Sequence, residues 1–167
     1  MRAKIVQGAC FKGAINYVLD KEKAELIGAI GVRLTADHDR NAIIHSFVTQ
    51  AKLNPIAKPV AHISLDFSAQ DKDKLTEEKM LEIASQYLQK MGYKNTQVLA
   101  VRHHNTDHPH LHLIINRIDF DGKRISDQNE RIRNMKVCKE LTEKHDLYFS
   151  WGKENVKRER LREPEAT

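Results

Sequence analysis

The stretch that most restricts the fold is a pair of apolar segments held close in sequence: TQVLAVRH (96–103), six residues, then HLHLIINRID (110–119). Both are rich in Val, Leu and Ile and read as strands. A connection of about six residues is too short for the crossover that parallel strands need, so these two strands pair antiparallel.

The rest of the chain supplies more strands and several helices. RAKIVQG (2–8) reads as a short strand ended by Gly8. In VAHISLDF (60–67), Ala61, Ile63, Leu65 and Phe67 alternate with His62, Ser64 and Asp66, the period of a strand with one apolar face. AELIGAIGV (24–32) is Gly-punctuated and reads as a weak strand or loop. Asp121-Gly122 predicts a hairpin turn into a short strand ending near Ile125. A helix is predicted over 11–20, where Phe11, Ala14, Ile15, Val18 and Leu19 form one stripe and Tyr17 falls off it. Others are predicted over 39–52, halted by Asn54-Pro55, over 77–91, with Thr76 at the N-cap and Gly92 past the end, and over 130–145, which is basic. The expected architecture is α+β: an antiparallel sheet with helices packed on one face. One domain over 1–150 is expected, followed by a charged segment, 151–167, that is a tail or the start of a further region.

The chain has 167 residues, 40% of them apolar, enough for one core. No run of eighteen apolar residues is present, and the N-terminal stretch lacks a signal-peptide pattern. A cytoplasmic protein without membrane insertion is expected. Cys10 and Cys138 share no metal-site spacing and read as free thiols. The net charge of +5 gathers late, in KRIS, RIRNMKVCK and KRERLR, and is compatible with nucleic acid.

Five of the nine histidines lie within residues 103–112. In a strand, alternate residues share a face, so His110, His112 and Asn116 point one way while Leu111, Leu113 and Ile115 point into a core. Two imidazoles at i and i+2 can hold one divalent ion if a third ligand approaches. Imidazoles alone leave open positions on the ion, as a Lewis-acid site needs, and they accept Mn, Co, Ni or Zn. Strict alternation groups His103 with Leu99 and Val101, which does not aim it at the site. A bent strand end would bring it in, and His104 or His108 could take its place. His62 lies on the polar face of its own strand, either as a ligand or as a support to one.

The stretch HHNTDHPHLHLIINR (103–117) resembles the third motif of conjugative relaxases, the mobilization nucleases of plasmids and integrative elements. That family places a histidine–hydrophobe–histidine pair on a central strand, which maps onto His110-Leu111-His112. A histidine seven positions upstream maps onto His103, a closing asparagine onto Asn116 and the arginine after it onto Arg117. The segment FKGAINYVLDKEKAELIG (11–28) resembles the N-terminal motif of the same family, especially versions from Bacteroides-like mobile elements, and its tyrosine maps onto Tyr17. The resemblance covers roughly residues 1–150.

The resemblance implies a nuclease in which Tyr17 attacks a DNA phosphodiester and forms a 5′-phosphotyrosyl link. A divalent ion, Mg²⁺ or Mn²⁺ ahead of Ni²⁺, Co²⁺ or Zn²⁺, is implied on His103, His110 and His112, with His62, His104 and Asn116 supporting them. Asn105 stands where the family usually has an acid. Asp107 would take that part, and Asp107 and His104 are candidate bases. Lys12, Arg117, Lys123, Arg124, Arg131 and Arg133 are candidate phosphate contacts. The implied partners are single-stranded DNA at a transfer origin, accessory mobilization proteins and a coupling protein. Competing readings are a replication initiator or transposase with a later tyrosine such as Tyr148, a hydrolase using activated water, and a non-catalytic metal- or DNA-binding module.

Overall fold

The sheet is centred on residues 110–116, whose Leu111, Leu113 and Ile115 are buried on one face and whose Ile114 is buried on the other, beside His110 and His112. A computed structural model describes residues 1–34, 39–104 and 107–149. Its sheet is antiparallel, with strand order β1-β3-β5-β4-β2. The strands are β1 (Arg2–Gly8), β2 (Ala24–Ile30), β3 (Val60–Asp66), β4 (Val98–His103) and β5 (His110–Asn116). The hairpin expected from the six-residue connection is the β4–β5 pair. The helices are α1 (Phe11–Leu19), α2 (Arg40–Ala51), α3 (Glu77–Met91) and α4 (Glu130–Lys144).

The α+β antiparallel expectation holds, but the helices do not share one face. α3 and α4 pack with Ala61, Ile63, Leu65, Leu111, Leu113 and Ile115. α1 and α2 pack on the opposite side, through Phe11, Ile15, Val18, Ile43 and Phe47, against Val60, Leu99, Val101 and Ile114. Val60 and Ile114 lie on the faces that alternation marks as polar, and the register of β4 with β5 brings Leu99 and Val101 to the same side. Apolar area left in water costs about 25 cal/mol per Å², so that half of the face takes its own helices. The rest of the face carries the imidazoles.

Local signals set most element ends. Thr76 Oγ1 accepts from Lys79 N–H at 3.1 Å, and Gly92 ends α3 at φ 86°, a conformation that costs glycine little. Cys10 Sγ accepts from Gly13 N–H at 3.3 Å and caps α1. The weakly predicted 24–32 segment is a full strand with a register shift between Leu26 and Gly28. Gly28 is small because Leu81 packs over it, at 3.2 Å from where a Cβ would stand. The short strand expected near Ile125 is reduced to one bridge, Ile118 with Arg124. Asn105 and the segment 151–167 lie outside the described residues.

Candidate active site on the imidazole face

Register assembles the site. β5 places His112 opposite Ser64 and His110 opposite Asp66. On its other side it places His112 opposite Val101 and His110 opposite His103. Directly opposed residues point to the same side of a sheet. His62, Asp66, His103, His110 and His112 therefore share one face. The expectation that alternation turns His103 away is corrected: Leu99 and Val101 lie on the imidazole face too, further along it, under α1 and α2.

The rings crowd together. The His103 and His112 centroids are 4.1 Å apart, and those of His62 and His112 are 5.1 Å apart. Each ring is oriented by a partner. His110 Nδ1 lies 2.7 Å from Asp66 Oδ1. His112 Nδ1 lies 2.8 Å from His62 Nε2. His103 Nε2–H donates to the Val18 carbonyl at 3.0 Å, one residue past Tyr17 on α1. Burial, then the neighbouring imidazoles His103, His62 and His110, push His112 down to about 3. His103 is lowered by burial, which outweighs the raising effect of the Val18 carbonyl. His62 is lowered by burial, then by His103 and Lys4. These three rings are neutral at pH 7, the form in which imidazole binds a metal.

The donor chemistry thus fits a divalent cation on His103, His110 and His112. Among the described residues, no group of three or more His, Cys, Asp or Glu side chains is already gathered as a metal site. The carboxylate on His110 was not singled out in the sequence, although Asp66 ends the His62-x-Ser64-x-Asp66 alternation that marks it. Carboxylates in that position fix tautomer and ring orientation. Asp66→Ala is expected to weaken Mn²⁺ binding by about 10–100-fold in calorimetry, and unchanged affinity would remove Asp66 from the site.

The depressed imidazoles also make an acid-sensitivity expectation. An unfolded chain protonates His112 near its usual pKa of about 6.5, while the folded protein resists until about 3. The unfolded state then binds more protons, so stability falls as pH drops through that window. Metal-free protein should lose melting temperature between pH 7.5 and pH 5, and His112→Asn should lose less. Equal loss in both would contradict the assignment.

Tyr17 stands over this face on α1. Its side is 52% exposed, and its ring meets His62 edge-on at 5.8 Å. Lys21 Nζ sits 4.3 Å from its ring centroid. Lys4 and Lys21 lower the neighbouring imidazoles electrostatically and are cations that the sequence reading missed. Lys4 alternates with Ala3 and Ile5 on β1, and its role appears only once β1 pairs with β3.

Other expected site residues lie elsewhere. Asp107 is exposed, with Oδ1 4.0 Å from Lys72 Nζ. His104 bonds Glu25 at 2.8 Å, on the edge strand. Asn116 is fully buried and is not brought to the imidazoles. Its amide donates to Phe47 O and Gln97 Oε1, and its Oδ1 accepts from Ile118 N–H. Buried amides need such partners. Asn116→Ala should cost about 1–3 kcal/mol of stability in denaturant unfolding and leave Mn²⁺ affinity unchanged. Arg117 is 5% exposed and donates to Lys58 O and Ile125 O, so it holds loops together and is not placed to meet a phosphate. Arg133 donates to Met91 O and Gln128 O. With Lys123, Arg124 and Lys94 it lines a cavity of about 710 Å³ at the other end of the sheet, where β5 finishes. Arg131 is exposed on α4, and Lys12 is exposed at the start of α1.

The sequence agrees with this geometry. Residues 17–147 match the family model described as relaxase, MobA/VirD2-like, nuclease domain. The chain belongs to that family of relaxase nuclease domains. A solved structure described as "Molecular Basis of Vancomycin Resistance Transfer in Staphylococcus aureus" is similar at a TM-score of 0.49 and 14% identity, over 89% of this chain and 96% of that one. No curated protein matches significantly. Among the described residues no helix is long and apolar enough to cross a membrane.

Proposed function

We propose that the chain nicks one DNA strand at a transfer origin through a covalent 5′-phosphotyrosyl intermediate on Tyr17, for mobilization of the element that encodes it. The observation that carries this reading is Tyr17, exposed on α1 with its ring 5.8 Å from His62 at the edge of the imidazole cluster. The Tyr17 oxygen attacks the scissile phosphorus, the P–O3′ bond breaks, and the 3′ oxygen takes a proton and leaves as a hydroxyl. Tyrosine ionises near pH 10, so attack needs a base. With His112 ligating through Nε2, its Nδ1–H donates to His62 Nε2, which occupies the one lone pair of neutral His62, so the phenolic proton of the half-exposed Tyr17 passes to solvent. Asp107, which the resemblance suggested, is exposed, 4.0 Å from Lys72 Nζ.

A divalent ion on His103, His110 and His112, Mg²⁺ or Mn²⁺ in the first instance, would supply neutralisation of the charge that grows on the phosphate oxygens. Lys4 and Lys21 add positive charge on the same face. The His103–Val18 bond ties the last turn of α1, one residue past Tyr17, to the imidazole cluster. The covalent link keeps the energy of the broken bond, and a 3′ hydroxyl can reverse the step. Accessory mobilization proteins and a coupling protein would present the DNA and take it onward.

Strand transfer tests the reading. Protein with Mn²⁺ and a randomised single-stranded DNA pool should first release 3′-hydroxyl fragments. It should then join its bound fragment to an added 3′-hydroxyl strand. Cleavage that yields only hydrolysed ends, with no joining, would contradict it.

A further inference from the structure

We infer that the groove between the start of α1 and the end of α2 is a pocket for one nucleobase of the strand that Tyr17 cuts, a subsite selecting by size and apolar contact; the inference rests on the nuclease reading above. The groove encloses about 350 Å³ between Phe11, Val48, Ala51, Pro55, Ile56 and Pro59. That lies at the small end of cavities that take organic ligands, roughly 300–1,000 Å³. Such walls hold a flat aromatic ring and offer few hydrogen-bonding groups. They would separate small bases from large ones better than they would read base edges.

Two observations point to nucleic acid as the occupant. The rim carries Lys12 and Lys52, both exposed. Cations flanking an apolar floor hold a strand by its phosphates with bases turned inward. The groove is also continuous with the nucleophile. Cys10, which lines it, Gly13 and Tyr17 fall at i, i+3 and i+7, one stripe of α1, spanning about 10 Å of helix at 1.5 Å per residue. A Cβ at Gly13 would meet only Cys10, at 3.6 Å from its sulfur, so the path along the stripe is open. Below it, Val60 at the groove end of β3 shares the sheet face with His62. On β1, Val6 lies opposite His62 and Gly8 opposite Val60. Val6 is 50% exposed, an apolar floor at the point where a strand would pass from Tyr17 to the groove.

The test uses an oligothymidylate of about eight nucleotides, within the usual site size of single-strand binders, beside an abasic strand of equal length. In fluorescence anisotropy the wild type should prefer the thymidylate by about tenfold. Ala51→Trp, which fills the groove, should bring that ratio near one and leave abasic binding unchanged. A second readout needs no variant. Cys10 is exposed, while Cys138 is buried with its thiol pushed up to about 11, so a thiol reagent reports on Cys10. Saturating thymidylate should slow its labelling several-fold, and the abasic strand should not. A folded Ala51→Trp protein that keeps the full ratio, or Cys10 labelling unchanged by thymidylate, would overturn the groove as a base pocket. A wild type that binds neither strand would overturn the groove assignment, and one that also fails to bind a randomised single-stranded pool would overturn the nuclease reading.

Discussion

Tyr17→Phe is expected to abolish nicking, a loss of about 10⁴-fold or more, as removal of a sole nucleophile produces. Binding of single-stranded DNA should stay within about threefold of wild type, because phenylalanine keeps the ring that meets His62 and the cation contact from Lys21. The fold should not notice the change: Tyr17 is 52% exposed, and no core cluster contains it. Rates from a gel assay with Mn²⁺, beside anisotropy on the same DNA, separate the two effects. Nicking that survives would move the chemistry to water or to another tyrosine such as Tyr148. Weakened binding with an unchanged rate at saturation would make Tyr17 a contact and no nucleophile.

The double variant His110→Ala/His112→Ala is expected to remove both Mn²⁺ binding and nicking. The loss of affinity should exceed the 10–100-fold that follows from removing a supporting partner alone. Saturable one-to-one heat from the metal-stripped wild type should vanish in the variant. Stability should hold, since both side chains are only half-buried and the apolar residues between and beyond them remain. Removing His112 also removes a ring that resists protonation, so the variant should tolerate pH 5 better than wild type. Metal binding that persists in a folded double variant would place the ion elsewhere.

Much of the architecture can be read from local signals. β1 and α3 fall on the predicted residues, 2–8 and 77–91, because Gly8, Thr76 and Gly92 are punctuation whose physics is local. The hairpin of β4 and β5 follows from the length of its loop. What alternation cannot supply is the relation between strands. It groups His103 with Leu99 and Val101, which is correct, but only the register with β5 shows that this face is also the face of His110 and His112. The same missing information hides Asp66 and Lys4, each ordinary on its own strand. It also hides the second layer of helices, which Leu99, Val101 and Ile114 require.

Motif position misleads for Asn116 and Arg117. Both follow the imidazole pair, yet at about 3.3 Å per residue Asn116 is some 13 Å from His112 along the strand. Their polar groups satisfy buried carbonyls of α2 and the loops around β3 and β5. Lys123, Arg124 and Arg133 are separated from the imidazoles in the same way. A shared fold does not assign these roles, and only the site does.

The central claim is a covalent bond between Tyr17 and DNA. The most direct measurement is peptide mapping by mass spectrometry after the wild type reacts with Mn²⁺ and a randomised single-stranded pool. The account predicts a nucleotide joined through its 5′ phosphate to the peptide that contains Tyr17, absent from Tyr17→Phe. Cleaved DNA with no protein adduct, or an adduct on a different residue, would contradict it.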